Sequence, residues 1–464
     1  MPQSGVAPRP GIPEHPGWPE LLLAAAFVIA GWAFCFYMLL LGAASYDALY
    51  VYEDAYAGKY GDWQPPLFGV IWLWLEHLFG TGAVAINGPT LTFYWLAFFL
   101  LFLGLRRTGT RLAWLALLLP LAPPLLVLQG IVWRDVVFST LWVLSAALVF
   151  AASDRPAPVR LAATVVALLL FVLGFWLRPN AIFAAVPLFA YIVWPQNFRW
   201  KRLFLSAVPV CLVLQGSASL INYSWLNAVE RHPTHSIMVF DLAGISQFTG
   251  QNVFPVADWT PEQITKVTTQ CYDPGYWDSV WWMRADCAFI MKRLDGDSPG
   301  SARIFGTPAL TSAWIAAIEA HPLAYLQHRL AHFRMVMLAR TMVMFDHTDD
   351  PTLRFAFTGN DTYKAFSTAM HWLQDNTPLF YGLPWLLLAG AVLLIGLVVQ
   401  DGRAKAAILG LSMSGVIFTL TYLPFGVAAE YRYVYWTVFS GLVAGLIALA
   451  KWADNHTRHA GLRG

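Results

Sequence analysis

Long apolar runs separated by short polar breaks dominate the chain, and one long polar stretch, about 223 to 378, interrupts them. Runs that approach the length needed for a bilayer core of about 30 Å fall near 20–43, 84–105, 112–130, 136–152, 161–177, 181–195, 203–222, 379–399, 406–427 and 434–450. Backbone groups in lipid must be satisfied within the segment, so each run predicts a spanning helix, ten in all. The polar stretch carries helix signals of its own. Thr260-Pro261-Glu262-Gln263 reads as an N-cap with Pro at the first helical position and Gln at the capping-box position. His321 to Phe345 reads as a basic amphipathic helix, in which Arg329, His332, Arg334 and Arg340 alternate with Leu326, Leu330, Phe333, Met337 and Leu338. That pattern places it against a membrane surface, with a short or re-entrant span as the alternative.

Composition makes the membrane reading firm. Of 464 residues, 58% are hydrophobic and only 12% are charged, about half the charge of a soluble domain. Lys and Arg number 29 against 27 Asp and Glu, with no long block of either sign. That balance excludes an electrostatic nucleic-acid binder and points to lipidic or membrane-bound partners. Aromatic residues make up 15% of the chain, which predicts interfacial helices beside the spans. Cys35 and Cys211 lie in apolar runs, whereas Cys271 and Cys287 lie in the polar stretch and can pair if it faces an oxidising compartment. The Pro-rich start has no basic region beside the first apolar run, so no cleaved signal peptide is expected.

Charge also sets the orientation. With both termini in the cytoplasm, the inner loops and tails receive fourteen Lys and Arg and the short outer loops only four. The positive-inside rule then puts the 44–83 loop and the 223–378 stretch outside.

The candidate chemistry gathers on that outer side. Asp47 follows the first span directly, where an acid at the mouth of a cavity can serve as general base. Glu53 and Asp54 follow it in the same loop, as supporting acids or as a solvated loop face. Trp133-Arg134-Asp135 occupies the next short outer loop, where a charge pair can meet a lipid head group or Asp135 can simply complement a helix dipole. Arg178-Pro179-Asn180 and Glu430-Tyr431-Arg432-Tyr433 form two more outer turns. The arginine fork suits phosphate and can steady a departing phosphate as its charge develops. Arg178, Arg432 and Arg134 are therefore the candidate phosphate ligands, with Asp135, Asn180, Glu430 and Tyr433 in support. No Walker loop, dinucleotide fingerprint, His-Glu-x-x-His or nucleophile elbow occurs. His321, His328 and His332 share helical spacing but have no acid or Cys close in sequence, which favours an interfacial position over a zinc site.

Asp47, Tyr60-Gly61-Asp62-Trp63, Pro65-Pro66-Leu67 and the aromatic segment with Trp72 and Trp74 ending at Leu78-Phe79-Gly80 together resemble the first outer loop of GT-C superfamily glycosyltransferases. The nearest parallels are lipid A aminoarabinose transferases and protein O-mannosyltransferases. The Trp-Arg-Asp, Arg-Pro-Asn and Glu-Tyr-Arg-Tyr turns look more like bacterial envelope glycosyltransferases. The resemblance implies an all-α polytopic membrane protein of the bacterial inner membrane. It has an N-terminal transmembrane module over 1–222 with the catalytic loop at 44–83, a mostly helical periplasmic domain at 223–378, and C-terminal helices and a cytoplasmic tail at 379–464. It implies inverting transfer of a sugar from a polyprenyl-phosphate carrier to an envelope acceptor, with Asp47 as base and Asp135 as the second-loop acid. Where those enzymes often carry a second acid beside the first, this chain has Ala48. No cofactor is implied with certainty, and a divalent metal is compatible. The alternative is a flippase for a lipid-linked glycan, which would place ionisable groups at mid-depth in the spans.

Overall fold

The computed structural model describes residues 17–39, 42–297, 302–338, 344, 347–348 and 357–461. It is almost wholly helical; the strands among these residues form two sheets of two short strands each. Among the described residues, seven helices are long and apolar enough to cross a membrane: Trp18–Leu39, Val84–Arg106, Arg134–Ala152, Ala157–Leu177, Trp200–Trp225, Gly402–Phe425 and Tyr431–Asp454. Pro66–Phe79, Pro179–Val193 and Gly382–Val398 are shorter apolar helices. The chain is a multi-pass membrane protein.

Arg134–Ala152, Gly402–Phe425 and Tyr431–Asp454 form the buried centre of the bundle. Small residues bring them close: a Cβ on Gly415 would meet Ser440 Oγ at 2.1 Å. Polar side chains then link the backbones, as Ser414 Oγ donates to the Ala184 carbonyl at 2.7 Å and the Trp436 indole donates to Ser414 Oγ at 2.9 Å. Such contacts take over from the hydrophobic effect where the surroundings are as apolar as the helices. The peripheral helices turn Leu22, Leu23, Ile29, Leu161, Leu169, Leu205 and Leu212 outward, a surface suited to lipid.

One expected span takes another form. The run at 112–130 is a chain of short turns, Arg111–Ala113, Trp114–Leu118, Leu119–Leu121 and Pro123–Leu126, ending in the strand Ile131–Val132. Pro120, Pro123 and Pro124 lack the N–H a continuous helix needs. Carbonyls along these broken turns are met by side chains: Tyr94 donates to Pro120 O at 2.8 Å, Tyr431 to Pro124 O at 2.9 Å, and Tyr435 to Leu125 O. Irregular backbone at this depth is tolerable because it is enclosed by protein.

The polar stretch builds a second core, with Val239, Phe240, Leu242, Ile245, Val267, Val280, Ile290, Leu294 and Leu310 packed together. The Thr260–Gln263 capping box forms as expected, and Cys271 pairs with Cys287. The helix expected from His321 starts at Pro322 and runs to Leu338, and much of its basic face turns inward, with Arg334 exposed. His328, Arg329 and His332 are buried, while Leu323, Leu326 and Leu330 face outward. The acid that draws the basic face inward is Asp241, eighty-odd residues away in sequence and fully buried. Positions 339–343 and 345, Arg340 among them, lie outside the described residues.

Candidate active site

The site begins with a two-residue parallel pairing. Ala43 and Ala44, at the end of the first long helix, pair with Ile131 and Val132. That register delivers the first turn of the helix Tyr46–Tyr56 beside the first turn of Arg134–Ala152. Ser45 caps the former by accepting from Ala48 N at 3.2 Å, leaving Asp47 directed at the latter. The turn at Arg178 and the Glu430–Tyr433 turn arrive at the same end of the bundle. At the other end Arg106 meets Glu20, and Arg403 pairs with Asp154.

Two arginine clusters result. Arg432 Nη1 contacts Asp47 Oδ2 at 2.9 Å, its Nε lies 2.5 Å from Glu430 Oε2, and Nη2 donates to the Tyr433 hydroxyl at 3.1 Å. The same guanidinium stacks over Trp133, 4.8 Å from the ring centre. Arg178 is more deeply placed. Its Nη2 lies 3.1 Å from Asp135 Oδ1 and donates to the Tyr422 hydroxyl at 2.8 Å, and both side chains of the Arg178–Asp135 pair are almost fully buried. Tyr433 stacks between the clusters, 5.2 Å from the Arg178 guanidinium carbon.

Asp47, Ala48, Val51, Gln64, Pro65, Phe68, Trp133, Arg134 and Arg432 line a small cavity. Its free space is about 10 Å³, roughly the room one water needs. Two of its polar groups are open to a ligand. The Arg134 side chain makes no hydrogen bond or contact ion pair with a described residue, although it lies in the field of Asp135 and Asp47, and Gln64 Oε1 is buried with no partner. A buried acceptor left unpaired costs about 1–3 kcal/mol, so this is a place where a ligand hydroxyl would be welcome.

Electrostatics separate the acids. Burial works to raise the Asp47 carboxyl, but Arg432, Arg134 and Arg178 outweigh it and hold Asp47 below the usual carboxylate range. Burial raises Glu430, with Arg432 opposing and Asp47 and Asp135 adding. Asp278 is pushed up to about 6, by burial first and then by the charges of Asp47 and Glu430, with the Trp282 indole N–H opposing.

Of the residues singled out in sequence, Asp47, Arg134, Asp135, Arg178, Glu430, Arg432 and Tyr433 are brought together. Arg178 does not line the cavity, because Asp135 and Tyr422 occupy its fork. Glu53 and Asn180 are exposed, and Asp54 turns away to pair with Arg231 Nη2 at 3.1 Å. Asp278 and Tyr422 were not apparent from sequence; the crowd of Trp277, Trp281 and Trp282 around Asp278 was the available signal. Three converging His, Cys, Asp or Glu side chains able to hold a metal do not occur among the described residues. No family model, curated protein or solved structure matches the chain.

Proposed function

We propose that this chain is an inverting membrane glycosyltransferase of GT-C type. It moves a sugar from a polyprenyl-phosphate carrier to an envelope acceptor on the periplasmic face of a bacterial inner membrane. The observation that carries the reading is the cavity at one end of the bundle, where Arg134, its fork not taken up by a described residue, stands beside Asp47 and the ion-paired Arg432. A phosphate there would meet the guanidinium fork of Arg134, while Arg432, whose nitrogens already serve Asp47, Glu430 and Tyr433, would add positive charge beside it in a site partly closed to water, where each charge counts for more. Ten crossings, the third made by the broken segment 111–132, would keep both termini in the cytoplasm and this end outside.

In the reaction, an acceptor hydroxyl deprotonated or oriented by Asp47 attacks the anomeric carbon, and its proton passes to a carboxylate of the site. The bond from that carbon to the bridging phosphate oxygen breaks, and its electron pair leaves with polyprenyl phosphate. The leaving group is already an anion, so it needs cations more than a proton. Arg178 locks Asp135, and Trp133 and Tyr433 hold the plane of Arg432. Clustering of the ionisable groups at one end of the bundle, rather than at mid-depth, favours transfer over flipping. Mass spectrometry of envelope lipids and glycans tests the reading: a deletion strain should lose one glycosylated species that the parent gene restores and the Asp47→Asn gene does not. An unchanged envelope in the deletion strain would count against it.

A further inference from the structure

We propose that the outer-domain turn Tyr276–Trp281, together with Trp63 of the first outer loop, forms the acceptor subsite, where a sugar ring stacks and Asp278 receives the proton of the attacking hydroxyl. The proposal rests on the transferase reading above and names the acceptor as a glycan.

The turn is joined directly to the 427–429 segment that leads into Glu430. Trp277 N donates to Val427 O at 2.9 Å, Tyr276 bridges to Ala428, and the Tyr276 hydroxyl donates to Ala429 O at 3.2 Å. Asp278 thus stands beside the residue run that ends in Glu430. On its other side the turn meets Trp63, whose ring centre is 5.7 Å from Trp277 and 5.9 Å from Trp281; those two are 5.2 Å apart. Trp277 is buried and packed with Trp63 against the outer core, and Trp281 is partly exposed, so the indole cluster reaches from that core to solvent. Sugar rings have apolar C–H faces and hydroxyl edges, so an aromatic surface flanked by carboxylates suits both.

The two acids then divide the work. Arg432 holds Asp47 ionised and makes it a weak proton acceptor. Asp278 accepts from the Trp282 indole N–H, and burial with the charges of Asp47 and Glu430 pushes its carboxyl up to about 6, so it is ionised at neutral pH yet a better proton acceptor than Asp47. As the new glycosidic bond forms, the hydroxyl proton passes to the Asp278 carboxylate. The phosphate departs with the electron pair of the broken bond, and Asp278 returns the proton to water.

The test uses the full-length protein in lipid nanodiscs. Soluble oligosaccharides released from an envelope fraction should quench tryptophan fluorescence saturably, and Trp281→Ala or Trp63→Ala should weaken that binding about tenfold. Trp282 emission should titrate near pH 6 in the parent and not in Asp278→Asn. Single-turnover transfer from polyprenyl-phosphate glucose, mannose or aminoarabinose should lose its acid limb near pH 6 in Asp278→Asn, with the rate lowered about 100-fold. Transfer by the parent with no glycan quenching, or with an unchanged pH profile in Asp278→Asn, would overturn the subsite and leave the transferase reading standing. Quenching of Trp281 by brominated lipid and not by glycan would place the turn in the membrane and also overturn it. Glycan quenching with no transfer from any of the three donors would overturn the transferase reading and the acceptor role with it.

Discussion

Arg134 and Arg178 have the same side chain and sit at the same end of the bundle, yet their surroundings give them opposite tasks. Arg178 is spent on Asp135 and Tyr422, and removing one partner of a buried pair leaves a bare charge that costs about 3–5 kcal/mol. Arg178→Met should therefore lower thermal stability by that amount, read by denaturation in detergent. Arg134 makes no contact ion pair with a described residue, so Arg134→Gln should cost clearly less stability than Arg178→Met. It should weaken donor binding at least tenfold, a loss of about 1.4 kcal/mol. Equal stability losses in the two variants would show that both arginines are structural. Sequence made Asp47, Arg134, Asp135, Arg178 and Arg432 legible because each sits at a span end, where a charge stands out against an apolar background. It left Glu53, Asp54 and Asn180 unresolved, since a loop acid reads the same whether it faces a cavity, Arg231 or water. Asp278 and Tyr422 were hidden because only tertiary packing brings them near the arginines.

Among the elements, apolar length located the helices well, and proline spacing decided how one of them is made. The 111–126 segment survives as broken turns because Tyr94, Tyr431 and Tyr435 supply the missing donors. Tyr431→Phe should cost about 1–3 kcal/mol by stranding the Pro124 carbonyl. The inward turn of His328, Arg329 and His332 on the helix Pro322–Leu338 was hidden for a similar reason: their partner, Asp241, belongs to the helix His235–Thr249. Asp241 accepts from Trp314 at 2.7 Å and contacts His328 Nε2 at 3.0 Å and Arg329 Nε at 2.7 Å. Arg329 in turn donates to Gly426 O at 2.7 Å, fastening the outer core to the loop that carries Glu430. A Cβ on Gly426 would meet His332 Nε2 at 2.3 Å, so only glycine permits that approach. Burial pushes the His332 imidazole down to about 4 from 6.5, with Arg329 and His328 adding and the Pro274 carbonyl opposing. The folded state disfavours the protonated ring, so its contribution is complete above pH 6.5 and is lost as pH falls from 6.5 towards 4. Hydrogen exchange of the 235–338 region should rise over that window, and His332→Gln should remove this part of the pH dependence. Protection that stays flat from pH 7 to 4.5 in the parent would refute it.

For the whole molecule, charge asymmetry and site geometry agree on one axis: the basic-rich loops tied by Arg106 and Arg403 lie opposite the end that holds Asp47 and Arg432. Reporter fusions after Arg107 and Arg403 should read cytoplasmic, and fusions within 250–297 periplasmic; the reverse pattern would overturn the orientation. The alternation of apolar runs was enough to give the polytopic fold, whereas the docking of the outer core on the 426–430 loop was beyond it, because no local periodicity encodes a contact between distant segments. The account as a whole depends on transfer at the Asp47 cavity, and the most direct measurement is single-turnover transfer from a polyprenyl-phosphate sugar by purified protein. The parent should form glycosylated envelope acceptor, and Asp47→Asn, eluting normally on gel filtration, should be slower by about 100-fold or more, because the carboxylate that orients the attacking hydroxyl beside the arginines is gone. Near-normal transfer by Asp47→Asn would contradict the account, as would lipid-linked sugar crossing sealed vesicles with no transfer by the parent.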